Sequence, residues 1–115
     1  IDSNNEEMQW GEDEFLFIRD SSIVRRLRLE DILYAEAMGD YVKLHTAKKF
    51  FAVHASLRLL EERLPAARFI RIHRSYMVAV DKIDTLQDGA VIVADKCLPV
   101  ADAYRKALNR RMNVL

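Results

Sequence analysis

Residues 32–46 read ILYAEAMGDYVKLHT, and their pattern decides the fold. Two short runs rich in β-branched and aromatic residues, Ile32 to Met38 and Tyr41 to Thr46, flank Gly39-Asp40, a pair of turn formers. That arrangement predicts an antiparallel hairpin with a tight reversal. Upstream, Phe15 to Arg19 (FLFIR) and Ile23 to Leu29 (IVRRLRL) flank Asp20-Ser21-Ser22. The second of these runs sets Ile23, Leu27 and Leu29 against Arg26 and Arg28, which predicts a hairpin with one wet face. Downstream, Lys49 to Val53 supplies a further strand.

The period then changes. From Ser56 to Leu64 apolar residues fall at 57, 60 and 64, with Arg58, Glu61, Glu62 and Arg63 opposite and Pro65 closing the run. This predicts a short amphipathic helix capped by Ser56 and lying as a lid on a sheet. Phe69 to Arg74, Met77 to Val80 and Ile83 to Leu86 return to strand character, and Ala90 to Ala94 with Cys97 to Val100 flank Asp95-Lys96 as a last hairpin. Ala101 to Asn113 places Tyr104, Leu108 and Met112 on one helical face, with Arg105, Lys106, Arg110 and Arg111 off it. The predicted class is therefore mainly β, with one short middle helix and one C-terminal helix.

A chain of 115 residues fits one domain with one core. No apolar run approaches the roughly 18 residues of a membrane span, and no signal-peptide pattern opens the chain. The single cysteine, Cys97, can form neither an internal disulfide nor a multi-thiolate site, and is expected to be a small buried hydrophobe. A soluble, cytoplasmic domain follows. The formal net charge of zero hides a segregation: residues 1–14 carry six acids and no Lys or Arg, leaving 18 basic against 12 acidic residues from Phe15 onward. The expected organisation is an acidic linker or tail over 1–14, preceded by further chain since it does not open on Met, and a moderately basic folded module over 15–115.

The densest set of donors is Arg71-Ile72-His73-Arg74-Ser75-Tyr76. Strict alternation would send Arg71 and His73 to one side of a strand whose end could meet phosphates, or a guanine edge, through Arg and Ser. The residues alone favour a plainer reading, with Arg71 a surface cation and His73 half-buried. His45, His54 and His73 lack metal-site spacing, so no metal or cofactor is expected. Ser75, His73 and Asp81 lack the nucleophile elbow and oxyanion loop of a hydrolase, so no enzyme is expected either. Glu61-Glu62 reads as a solvated helix face.

Four stretches, in order, resemble the LytTR family across residues 15 to 113: LEDILYAEAMGDYVKLHT at 29–46, SLRLLEERLP at 56–65, FIRIHRSYMVAVDKI at 69–83 and LPVADAYRKAL at 98–108. The resemblance implies stacked small antiparallel β-sheets whose loops, rather than a recognition helix, enter successive major grooves of double-stranded DNA. It places Tyr41, Val42 and Lys43 near DNA from the first hairpin, His73, Arg74 and Ser75 from the second segment, and Asp102 and Arg105 from the start of the last helix; Lys106 and Arg71 are further DNA-contact candidates beside these, as cations. Arg74 is the leading candidate for base reading. Two positions depart from the family pattern: Ala79 stands where many members have Asn, and Asp102 where an arginine often reads a base. Asp102 fits better as an acid favouring the helix N-terminus. The implied role is the sequence-specific transcription-regulating output domain of a two-component response regulator. Its implied partners are promoter repeats, an upstream receiver domain, a cognate histidine kinase acting through that receiver, and a second copy on DNA. The alternative, motivated by Ala79 and Asp102, is a protein-interaction module on the same fold that has lost DNA reading.

Overall fold

The computed structural model describes residues 14–115, so the acidic segment up to residue 13 lies outside the described residues. Strands β1 (Phe15–Asp20) and β2 (Ile23–Arg28) form a two-stranded antiparallel ribbon. A five-stranded antiparallel sheet follows, built from β3 (Tyr34–Met38), β4 (Tyr41–His45), β5 (Phe50–Val53), β6 (Phe69–His73) and β7 (Tyr76–Ala79) in the order β5-β4-β3-β7-β6. Helix α1 (Leu57–Arg63) bridges β5 to β6. The short strands β8 (Thr85–Gln87), β9 (Ala90–Val93) and β10 (Lys96–Pro99) make a three-stranded sheet, and α2 (Asp102–Met112) closes the domain. This is the mainly β architecture that the periodicity predicts, with the two helices where it places them.

The five-stranded sheet is the middle layer, because its two faces bury different cores. Ala35, Val42, Leu44, Met77 and Ala79 pack with Ile18 and Leu27 of the ribbon and with Leu57, Leu60 and Leu64 beside them. Those last three leucines are the stripe that the sequence predicts, and Ser56 caps their helix by accepting from Leu59 N at 3.1 Å. On the other face Tyr34, Ile72 and Val78 pack with Val91, Val93, Leu98 and Val100 of the small sheet and Leu108 of α2. Consecutive residues of β7 thus point to opposite cores, as strand alternation requires of a covered strand. Each fully buried aliphatic side chain contributes about 1.5 to 3 kcal/mol by leaving water.

Three local differences from the sequence reading have physical causes. The last hairpin turns at Ala94-Asp95, one residue earlier than predicted, with φ of 48° and 69°. Two successive left-handed residues form the reversal that suits strand twist, here without the glycine that normally marks it. Cys97 is exposed, because it faces away from Leu98, whose side chain is buried. Finally, the register of β6 against β7 shifts between Arg71 and His73, so the strict alternation assumed for that strand fails. A bulge of this kind re-aims the side chains at a strand end.

Candidate nucleic-acid interface

The β3–β4 hairpin ends at Met38 paired with Tyr41, across a turn in which Gly39 has φ +61°. A Cβ there would meet nothing within 4 Å, so the demand for glycine is conformational rather than steric. Tyr41 is half-exposed at this tip, with its ring edge-on to His54 at 5.2 Å. Lys43, two residues on and on the same face, extends its ammonium over the Phe50 ring at 4.5 Å. Val42 between them has no exposed surface and faces the first core. Its side chain therefore cannot meet DNA as the resemblance suggests, and of the three expected hairpin residues Tyr41 and Lys43 remain.

The turn linking β6 to β7 is built largely by one side chain. Arg71 Nε donates to the carbonyl of His73 at 2.8 Å, Nη2 donates to the carbonyl of Arg74 at 2.7 Å, and Nη1 pairs with Glu61 Oε2 of α1 at 2.6 Å. Its planar fork holds three acceptors at once, a geometry no lysine reproduces. Glu61 and Glu62 lie on the solvated helix face as expected, and from that face Glu61 also anchors the fork. Ser75 N donates to His73 Nδ1 at 3.0 Å. The acceptor at Nδ1 puts the neutral ring's proton on Nε2, leaving that N–H as a donor. Arg74, at the apex, is exposed, and its own guanidinium makes no hydrogen bond or ion pair among the described residues.

Two backbone bonds bring the three predicted regions together. Ala37 N donates to Ser75 O at 2.9 Å, which ties the turn to the end of β3, next to the hairpin tip. Ala101 N donates to Ile72 O at 2.9 Å, which sets the start of α2 against the bulge. Asp102 in the first turn of that helix is almost fully exposed and lies 3.5 Å from Arg105 Nη2. It caps nothing with its side chain, so its contribution is the favourable placement of an acid at a helix N-terminus. Arg105 also reaches the β8–β9 turn, where a Cβ at Gly89 would lie 3.0 Å from Nη2. Lys106 is exposed.

Residues that the sequence reading passed over stand beside these. Glu36 of β3 accepts from His45 Nε2 at 3.1 Å and from the Tyr76 hydroxyl at 3.4 Å. Burial first, and the Glu36 carboxylate second, push the Tyr34 and Tyr76 phenols above the ordinary tyrosine value. Tyr76 is thereby kept in the protonated form that donates. The available signal was the alternation that puts 34 and 36 on the face shared by 43 and 45, but the hairpin register was needed to make it specific.

The comparisons with known proteins bear on the domain as a whole. The family model described as LytTr DNA-binding domain matches residues 22–113. The sensory transduction protein LytT of Bacillus anthracis is 27% identical over 94 residues, covering 76% of this chain and 38% of that protein. The CO-responsive transcriptional regulator RcoM of Rhodospirillum rubrum is 36% identical over 67 residues, covering 56% of this chain and 28% of that protein. This chain thus spans well under half the length of the curated relatives it matches. A LytTr DNA-binding domain of a putative methyl-accepting/DNA response regulator from Bacillus cereus superposes with a TM-score of 0.74, over 90% of this chain and all of that one, at 19% identity. With the family model spanning everything from the β1–β2 turn to the end of α2, the chain belongs to the LytTr DNA-binding domain family.

Proposed function

We propose that this domain reads DNA sequence as the output half of a two-component transcription regulator, controlled by an upstream receiver domain that a histidine kinase phosphorylates. The observation that carries the reading is the apex of the β6–β7 turn. An arginine with no partner among the described residues stands there on a backbone braced by another arginine, beside a histidine whose Nδ1 accepts from the turn and leaves Nε2 as the donor of the neutral ring. A braced turn suits base reading, because the backbone that aims Arg74 need not be ordered on binding and only its side chain has rotamer freedom to lose in the groove. Arg74 would bridge O6 and N7 of a guanine, with His73 and Ser75 on the adjoining edge or phosphate. Arg71 serves as the brace of the turn, since three of its five N–H donors are engaged there.

Lys43 and Lys106 supply phosphate contacts with counterion release, Tyr41 an edge or thymine-methyl contact, and Arg105 a phosphate contact once it leaves Asp102. The excess of basic residues beyond residue 14 steers the module to the duplex. Paired copies on repeated half-sites would multiply the affinity of one domain. The test is selection of duplexes from a random pool, followed by fluorescence-anisotropy titration at two salt concentrations. Enrichment of a repeated motif with salt-sensitive binding supports the reading, and no binding at low salt removes it.

A further inference from the structure

Five rings cross the central sheet in a row, one from each strand. Phe50 of β5 lies 5.6 Å from His45 of β4, and His45 stacks on Tyr34 of β3 at 4.2 Å with 13° between planes. Tyr34 lies 6.3 Å from Tyr76 of β7, and Tyr76 lies 5.7 Å from His73 of β6. The row follows the strand order β5-β4-β3-β7-β6 without a gap. A single carboxylate stitches its middle, since Glu36 Oε1 accepts from His45 and Oε2 accepts from Tyr76. The last ring is the one whose Nδ1 accepts from Ser75 N in the β6–β7 turn.

We infer that Glu36, His45 and Tyr76 are positioning residues for DNA reading, acting through the His73 ring on the turn that carries Arg74. This rests on the proposal that the turn meets DNA. An imidazole can rotate by half a turn, which puts the Cδ2 carbon where Nδ1 stood, and here only one orientation gives Ser75 N an acceptor. Tyr76 packs against that ring, and its hydroxyl, tied to Glu36, fixes where the tyrosine sits. Glu36 is itself held from the other side by His45, whose ring is clamped between Tyr34 and Phe50. The chain of contacts thus links the β3–β4 hairpin, bearing Tyr41 and Lys43, to the turn bearing Arg74. The two regions read the same duplex in a fixed relation only while the chain is intact.

Tyr76→Phe removes one hydroxyl and leaves the ring, so it separates positioning from folding. It is expected to weaken binding to the selected duplex about three- to tenfold, the usual range for one hydrogen bond. Random-duplex affinity and thermal midpoint should stay near wild type. Long-range proton–nitrogen spectra of His73 should shift from an Nδ1-acceptor pattern toward a mixture of tautomers. Glu36→Gln is expected to act in the same direction, and the double variant should be no worse than the weaker single one, since both act on one linkage. Unchanged His73 nitrogens in both variants would overturn the inference, as would equal losses on selected and random duplex. If the wild-type domain shows no preference between the duplexes, the DNA reading itself falls, while the His73 spectra still decide whether the row sets that ring.

Discussion

The β6–β7 turn and the start of α2 both present cations beside one another, yet they are held in opposite ways. In the turn, Arg71 commits three donors to two carbonyls and Glu61, His73 accepts from Ser75 N, and Arg74 at the apex is unpaired among the described residues. At the helix start, Asp102 and Arg105 face each other at 3.5 Å in the open, an exposed pair of the kind worth about 0 to 1 kcal/mol. A braced apex fixes the backbone from which a guanidinium is presented, which base hydrogen bonds demand. A loosely paired one can only supply charge. On the proposed function, the difference divides the work, with specificity at the turn and electrostatic attraction at the helix.

Breaking the brace should have the largest effect. Arg71→Ala leaves Glu61 and two turn carbonyls without their donor, and is expected to cost about 2 to 4 kcal/mol of binding to a selected duplex. Part of that loss appears as a lower thermal midpoint in calorimetry, and Arg71→Lys should restore little of either. Arg74→Ala comes next, with a loss of about 1 to 3 kcal/mol confined to one base position and an unchanged thermal midpoint. If random duplex is lost equally, the division between the two regions fails. Lys43→Ala and Lys106→Ala should weaken selected and random duplexes alike, each flattening the log–log salt dependence by about one unit. Asp102→Asn is the mildest: removing an acid from the DNA side should tighten all duplexes slightly, while the helix N-terminus loses about 0.3 to 1 kcal/mol, visible in thermal melts.

How much of this was readable from residues alone depended on whether the cause was local. The central hairpin was legible because Gly39-Asp40 and the flanking alternation are neighbours in sequence, and α1 because Ser56 and the 57, 60, 64 stripe lie within two turns. The turn at Ala94-Asp95 was displaced by one residue because no glycine marks it. Arg71 could be found as a donor but not as a brace, since its role depends on a bulge in β6 and on Glu61 ten residues away. Val42 illustrates the limit of resemblance: the hairpin is proposed to meet DNA, but alternation turns that particular side chain into the core. Glu36 and its row of rings needed the register of four strand pairings, which no single segment contains.

The central claim is that Arg74, on its braced turn, reads one base pair. A thermodynamic cycle tests it most directly: affinities of wild type and Arg74→Ala for the selected duplex and for a series of duplexes each changed at one position. The account predicts a position where the base change costs wild type about tenfold or more and costs the variant almost nothing, because the contact is already gone. Equal sensitivity of both proteins at every position would contradict it.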